Sequence, residues 1–236
     1  MAAFETHEKS VLITGSSRGL GLALSRRLAG LDWNLIVDAR GAEELNRAFE
    51  GVPIQGRLAV IPGDISNPQH RQDLAQAAAD FGGLDALVNN AGILGASPLP
   101  ALLDFPLDRL EEIFRINVVA QLGLIQALRP HFKPGARILN ITSDAAINPY
   151  EGWGGYGAAK AAFEQASAVL ALEAPDLRVY VVDPGDMRTR MHQEAYPGED
   201  INDRPLPEES VPGLVALLEG DLPGGRYVAK EVVSSE

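Results

Sequence analysis

The chain has 236 residues, of which 46% are hydrophobic and 22% are charged, and its formal net charge is −12 at pH 7. This length suits one α/β domain with a sizeable core, so we expect a single domain over residues 1–236. The negative charge argues against nucleic acid or an anionic membrane as partner, because both require a basic face. The chain has no cysteine, and its four histidines show none of the usual ligand spacings, so we expect no metal.

The sequence contains no run of eighteen apolar residues, and its first ten residues lack the apolar core of a signal peptide. We therefore expect a cytoplasmic protein that does not act on membranes.

The first predicted elements surround a glycine-rich turn. An apolar run at residues 11–13 predicts a strand, and a helical pattern follows at residues 21–31. Between them, from Thr14 to Gly21, the spacing is T-G-x-x-x-G-x-G. Glycines let the chain turn tightly, and free N–H groups at a helix start favour a phosphate. Turns of this kind also serve plain packing, so this motif alone does not decide the function.

Three further apolar runs predict strands at residues 35–37, 58–61 and 84–88, and a helical pattern follows each of the first two. This alternation predicts a parallel sheet with helices on both faces and right-handed crossovers. Gly, Asp and Asn clusters stand where the strands end. Because ligands of such sheets lie beyond the carboxyl ends of the strands, these clusters mark the expected binding edge.

A long helix is predicted over residues 106–129, and Asn117 interrupts its apolar stripe. A buried amide that lacks a partner costs about 1–3 kcal/mol. Asn117 therefore either pairs with a neighbouring strand or bends the helix, or it lies under the active site and orders a water molecule or the backbone there.

A fifth strand at residues 136–141 precedes Ser143, and an alanine-rich helix is predicted over residues 157–172. Tyr156 and Lys160 stand four residues apart at the start of that helix, so they share one face. A lone pair of this kind is often an ordinary surface pair. A sixth strand at residues 177–182 leads to an irregular segment, residues 186–207, which we interpret as a substrate lid. A helix at 212–218 and a strand at 226–228 end the pattern.

Taken together, these motifs resemble the short-chain dehydrogenase/reductase family over essentially the whole chain. The motifs are Thr14-Gly15-x-x-x-Gly19-x-Gly21, Asp64, Asn89-Asn90-Ala91-Gly92, Asn117, Ser143, Tyr156-x-x-x-Lys160, and Pro184-Gly185 with Thr189. The resemblance implies a doubly wound, seven-stranded parallel α/β sheet of Rossmann type with helices on both faces. It also implies an NAD(P)-dependent oxidoreductase.

The resemblance implies a catalytic tetrad of Asn117, Ser143, Tyr156 and Lys160. Tyr156 would pass a proton to the substrate oxygen, which Ser143 would hold. Lys160 would lower the pKa of Tyr156, bind the nicotinamide ribose and lead to a proton relay through water on Asn117.

The resemblance also implies where the cofactor binds, with its pyrophosphate on the glycine turn. The expected contact residues are Gly15, Ser17, Arg18, Gly19, Leu20, Gly21, Arg40, Asp64, Ile65, Asn90, Ala91, Gly92, Tyr156, Lys160, Pro184, Gly185, Met187 and Thr189.

We expect NADP(H) rather than NAD(H) as the cofactor, because of the residues at the end of the second strand. By family register Ala39 stands where NAD-binding members carry an acidic residue, and Asp38 comes one residue early, on the other face of the strand. Arg18 and Arg40 would then grip the 2′-phosphate. The alternative is that Arg40 is a solvated loop residue and that Asp38 reaches the ribose.

Mostly apolar side chains are candidates for the substrate pocket: Leu94, Ala145, Tyr150, Trp153, Met191 and His192. They suit a hydrophobic ketone or aldehyde, so we expect carbonyl reduction with Tyr156 as proton donor. A catalytically silent nucleotide-sensing regulator and an assembly scaffold of the same fold stay open as alternatives. The helices at 106–129 and 157–172 resemble those that family members pair between subunits, so we expect a homodimer or homotetramer.

Overall fold

The structure, a computed structural model, describes residues 9–232. Seven parallel strands form one sheet in the order β3-β2-β1-β4-β5-β6-β7. The strands are β1 (Lys9–Ile13), β2 (Trp33–Ala39), β3 (Leu58–Pro62), β4 (Leu84–Asn89), β5 (Phe132–Ile141), β6 (Arg178–Asp183) and β7 (Gly225–Val228). The strand order reverses between β1 and β4, and the crevice above that point is where such sheets bind ligands.

Eight α-helices accompany the sheet within the described residues. They are α1 (Gly19–Ala29), α2 (Ala42–Phe49), α3 (Pro68–Asp80), α4 (Leu107–Phe114), α5 (Gln121–Leu128), α6 (Gly154–Glu173), α7 (Arg190–Ala195) and α8 (Val211–Glu219). The seven-stranded parallel sheet with helices on both faces confirms the predicted fold class.

Two hydrophobic clusters cover the two faces of the sheet. One joins Leu24 of α1 and Leu214 of α8 to the strand residue Val37. The other joins Leu74 of α3 and Phe163 of α6 to the opposite face. Because the central strands are buried on both faces, β2 reads as a continuous buried run rather than as an alternating one.

The helix predicted over residues 106–129 is interrupted. A π-helical segment, Arg115–Ala120, separates α4 from α5, and Asn117 lies inside it. The widened turn thus lies at the position where the amide breaks the apolar stripe. Leu107, the first residue of α4, is 72% exposed.

The segment at residues 186–207 is more ordered than the sequence indicates. It contains α7, and Ala195 and Ile201 are buried. Its two ends are tied by a hydrogen bond from the Arg188 amide to the Pro205 carbonyl.

Other boundaries move by a few residues: α1 begins at Gly19 rather than at residue 21, and β5 begins at Phe132 rather than at residue 136. Among residues 9–232 no helix combines the length and apolar character needed to cross a bilayer. The cytoplasmic location stays a prediction.

Candidate active site

A cleft of about 1500 Å³ opens above the carboxyl ends of the strands. With the exception of Gly21, every residue expected to contact a cofactor lines it. The structure therefore brings together, at one sheet edge, positions that lie up to about 170 residues apart in the chain.

The glycine turn is held against the end of β4 by a side-chain network. Thr14 Oγ1 accepts hydrogen bonds from the backbone N–H groups of Asn90 and Ala91, at 3.0 and 2.9 Å. The Asn90 amide donates in return to the carbonyls of Thr14 and Gly15. These bonds join the ends of β1 and β4, the two strands between which the strand order reverses. They therefore fix the distance between the two sides of the crevice.

Gly21 packs the turn instead of lining the cleft, which corrects its expected role as a contact residue. A Cβ atom at this position would lie 2.4 Å from the Gly15 carbonyl oxygen and 2.5 Å from Asn90 Nδ2. No side chain fits there, so the third glycine of the motif is required by close approach of helix and strand.

The start of α1 suits an anion. Its N-cap, Arg18, makes no capping side-chain hydrogen bond, and the first turn has no acidic residue. The backbone N–H groups of that turn and the helix dipole therefore favour a phosphate, and no acidic side chain of the turn itself opposes one. This end of the cleft fits the pyrophosphate of a dinucleotide.

The cleft is charged beside the start of α1, where Arg18, Arg40 and Asp64 line it. Arg18 pairs with Glu44 at 3.5 Å on the surface, a contact that the sequence did not indicate. Burial opposes ionisation of Asp64, but hydrogen bonds from Ser66 and the positive charges of Arg40 and Arg115 hold its pKa below the usual value. Arg40 thus lies near Asp64.

Asp38 does not extend toward that end. It is 1% exposed, its Oδ2 lies 2.9 Å from His70 Nε2, and its Oδ1 accepts the Gly15 N–H at 3.2 Å. Burial raises the pKa of Asp38, although His70 and the Gly15 N–H oppose the increase. Strand alternation therefore turns this carboxylate under the glycine turn, as the sequence predicts.

Tyr156 and Lys160 face the opposite end of the cleft from the first turns of α6, and both are buried. Lys160 Nζ lies 5.5 Å from the centroid of the Tyr156 ring and donates to the Ile141 carbonyl at 2.7 Å. The pair is therefore a buried pair at the end of β5 rather than an ordinary surface pair.

The predicted lowering of the Tyr156 pKa is wrong for this structure. Burial raises the pKa of Tyr156 well above its usual value, and the carboxylates of Asp183 and Asp144 add to the increase. Burial also lowers the pKa of Lys160 to about 8, against the influence of Glu164. Desolvation of the phenolate outweighs an ammonium that is committed to a backbone carbonyl.

Ser143 directs its hydroxyl to a residue that the sequence reading missed. Ser143 Oγ donates to Asp144 Oδ1 at 3.0 Å and accepts the Ala145 N–H at 3.2 Å. Tyr150 donates to the other oxygen of Asp144 at 2.8 Å. The only sequence signal for Asp144 is its position next to Ser143.

Asn117 is fully buried, and its amide holds one backbone position from both sides. Its Oδ1 accepts the Ile93 N–H and its Nδ2 donates to the Ile93 carbonyl, both at 2.9 Å. Asn117 therefore orders the backbone that follows β4, and it does so from within the π-helical segment. A Cβ on Gly92 would lie 3.2 Å from Asn117 Oδ1 and 4.0 Å from Lys160 Nζ, so the three groups are close neighbours.

Apolar side chains gather around Tyr156. The cluster contains Leu94, Ala195, Leu99, Ala145, Trp153, Met191 and Tyr196. Of the six expected pocket residues, Leu94, Trp153, Met191 and His192 line the cleft, whereas Ala145 and Tyr150 do not. Tyr150 is held away by its bond to Asp144. Leu99 and Ala195 were missed, because neither stands in a motif.

A charged network that no sequence motif indicates lies behind the site. Arg226 of β7 contacts Glu164 at 3.3 Å and Asp183 at 3.6 Å, and it donates to the Ser143 carbonyl at 3.4 Å. Glu164 also accepts the Thr142 hydroxyl. The network joins β5, β6, β7 and α6, which carry the groups around Tyr156.

Comparison with known proteins agrees with this geometry. A family model described as short chain dehydrogenase matches residues 9–200. The 3β-hydroxysteroid dehydrogenase 1 of Eggerthella lenta is 32% identical over 238 aligned positions, which cover 96% of this chain and 88% of that protein.

The D-β-hydroxybutyrate dehydrogenase of Rhizobium meliloti is 31% identical, covering 96% of this chain and 89% of that protein. A short-chain dehydrogenase of Escherichia coli CFT073, crystallised with NADPH, superposes with a TM-score of 0.84 at 27% identity and covers 94% of this chain and 97% of that one.

The burial of Lys160 predicts a pH-dependent stability. Its pKa is about 8 in the folded chain against 10.5 for a free lysine, so between these values the unfolded state binds more protons and stability rises with pH. Urea unfolding of wild type and Lys160→Met across this range should show wild type gaining stability relative to the variant. The same comparison with Lys230→Met, an exposed lysine, should give no such gain. A pH-independent difference for Lys160→Met would contradict the assignment.

Proposed function

The chain belongs to the short-chain dehydrogenase/reductase family and is an NAD(P)-dependent oxidoreductase, and on that premise we propose that it uses NADP(H) to reduce a ketone or aldehyde to an alcohol. The observation that carries the proposal is the buried phenol of Tyr156, which lines the cleft beside Lys160 and within an apolar cluster. Positioned there, the phenol can donate a proton to a substrate oxygen. The apolar cluster around it suits a hydrophobic carbonyl compound.

In this proposal each polar group near Tyr156 has one task. Bound NADPH supplies the hydride. Tyr156 gives its proton to the substrate oxygen as negative charge develops there, and the Ser143 hydroxyl turns from Asp144 to the same oxygen. Lys160 binds the nicotinamide ribose and compensates charge on Tyr156, while Asn117 holds the Ile93 backbone that borders the cleft. Trp153 and Leu94 exclude water from the reacting centre.

The proton-donor role predicts the result of Tyr156→Phe. The change removes the hydroxyl but keeps the ring, so turnover should fall by a factor of about 10²–10⁴ while NADPH still binds. Steady-state assays with a panel of hydrophobic ketones, together with NADPH fluorescence titration, measure the two effects.

Tyr227→Phe is the matched control, because the Tyr227 hydroxyl bonds to Pro223 and Tyr227 does not line the cleft. Near-normal turnover of Tyr156→Phe would contradict the mechanism. A wild-type chain that binds NADPH but reduces no carbonyl would instead support the silent nucleotide-sensing regulator, and a chain that binds no cofactor would support the scaffold.

The preference for NADP(H) rests on the ribose end of the cleft. Arg18 and Arg40 line it, whereas both Asp38 oxygens are engaged beneath the glycine turn. The E. coli structure described above holds NADPH, which supports the proposal for this chain. Each guanidinium–phosphate contact contributes about 1.5–3 kcal/mol.

Arg40→Ala tests this preference. NADPH should exceed NADH by about tenfold or more in kcat/KM for wild type, and the variant should lose much of that ratio. Arg47→Ala, on the exposed face of α2, removes the same charge outside the cleft and should keep the ratio. Equal use of both cofactors by wild type would exclude the preference.

The proposal includes a lid at residues 186–207 in a single catalytic domain. Met191 and His192 of this segment line the substrate end of the cleft. In the absence of ligands its amides should exchange hydrogen faster than those of β4 and β5, and bound NADPH should slow them. Exchange as slow as in the core strands, measured by mass spectrometry without ligand, would argue against gating.

We also propose self-assembly through α5 and α6. Val119, Val169 and Leu172 are large exposed apolar side chains on or beside these helices, and the small face Ala158, Ala161, Ala162 and Ala166 lies on α6. A closed dimer or tetramer would cover them. Light scattering at micromolar concentration should give the mass of an oligomer, and a monomer would refute the assembly.

A further inference from the structure

A buried pair of a carboxylate and an imidazole lies beneath the part of the cleft that Arg18 and Arg40 line. The pair takes no part in the proposed reaction. Asp38 ends β2 and His70 stands in the first turn of α3, and they are 1% and 5% exposed. Their contact, Oδ2 to Nε2, is 2.9 Å long. Polar groups this deeply buried persist where each has a partner.

The pair contacts two backbone segments that border the cleft here, the glycine turn and the end of β3. Asp38 Oδ1 accepts the Gly15 N–H, and the Asp38 carbonyl accepts the Ser16 N–H at 2.9 Å. On the other side, a Cβ on Gly63 would lie 2.2 Å from His70 Nδ1, so the backbone before Asp64 packs directly on the imidazole. The glycine turn and the end of β3 therefore rest on one Asp–His unit.

Asp38 borders the cleft, although its carboxylate is buried beneath the glycine turn. It lines the cleft together with Ala39 and Arg40 at the end of β2. Removal of the imidazole would leave a buried carboxylate with the Gly15 N–H as its remaining side-chain partner, which is energetically costly. A rotation toward the cleft would return the carboxylate to water. There it would face the ribose, where a carboxylate accepts the hydroxyls of NAD and repels a 2′-phosphate.

We propose that His70 is a specificity-determining residue, which retains Asp38 under the glycine turn and so leaves the ribose end of the cleft to Arg18 and Arg40. The inference rests on the proposed use of NADP(H). It assigns part of the cofactor preference to a residue that does not line the cleft.

The test compares the Kd values of NADPH and NADH, measured by fluorescence titration at mildly alkaline pH, where a carboxyl group that reaches water is ionised. His70→Leu should weaken NADPH by about tenfold, with NADH unchanged or bound more tightly. Asp38→Asn combined with His70→Leu removes the freed charge, so it should restore most of the NADPH affinity. The rescue supports specificity only if it is selective for NADPH, because relief of an unpaired buried carboxylate in a purely structural pair would restore the affinity for both cofactors equally.

His131→Leu is the matched control, since His131 is half-buried and does not line the cleft. Its Kd values should equal those of wild type. Thermal melting reports whether each variant is folded. If His70→Leu does not fold, Asp38→Asn alone carries the test. With an uncharged residue at position 38, the chain should keep its preference for NADPH. A large loss of NADH affinity would instead show that Asp38 already binds the ribose hydroxyls in the wild type.

Equal weakening of both cofactors by His70→Leu, or no recovery in the double variant, would overturn the inference and reduce the pair to a structural contact. A wild type that binds NADH more tightly than NADPH would contradict the proposed cofactor instead. The two failures are therefore distinguishable in one set of titrations.

Discussion

The contact between the glycine turn and the end of β4 is the constraint on which the rest of the cleft depends. Helix α1 approaches β4 so closely that neither Gly15 nor Gly21 can carry a Cβ without meeting the Asn90 amide. That amide in turn satisfies two carbonyls of the turn. The start of α1 is thereby aimed at the crevice between β1 and β4, and the N–H groups that suit a phosphate face it without any capping side chain.

The positions that could be predicted from sequence are those where a local rule and the fold agree. Apolar runs gave β1 to β6, and the four-residue spacing of Tyr156 and Lys160 placed both on one face of α6. Asn117 was recognised because an amide in an apolar stripe requires a partner. That its partner would be the Ile93 backbone, and that the helix would widen into a π-turn to reach it, depends on where β4 ends in space.

Electrostatic effects were the least predictable, since they depend on burial and on neighbours that are distant in sequence. Sequence spacing places an ammonium next to Tyr156, but it does not show that Lys160 donates to Ile141 or that Asp183 and Asp144 approach the phenol. The network of Arg226, Glu164 and Asp183 likewise joins strands and a helix up to 62 residues apart. No local pattern identifies such contacts, because no motif in its own segment distinguishes any of the three partners.

The raised pKa of Tyr156 remains compatible with proton donation for a chemical reason. A carbonyl oxygen is a weak base before hydride arrives, and the alkoxide that forms is a far stronger base than a phenolate. A phenol that holds its proton tightly therefore gives it up only once charge has developed on the substrate. Burial among Leu94, Trp153 and Met191 prevents earlier loss of that proton to water. The end of the cleft that we propose binds phosphate has no such need, and there the charged side chains of Arg18, Arg40 and Asp64 are exposed or half-buried, as binding of a solvated ligand requires.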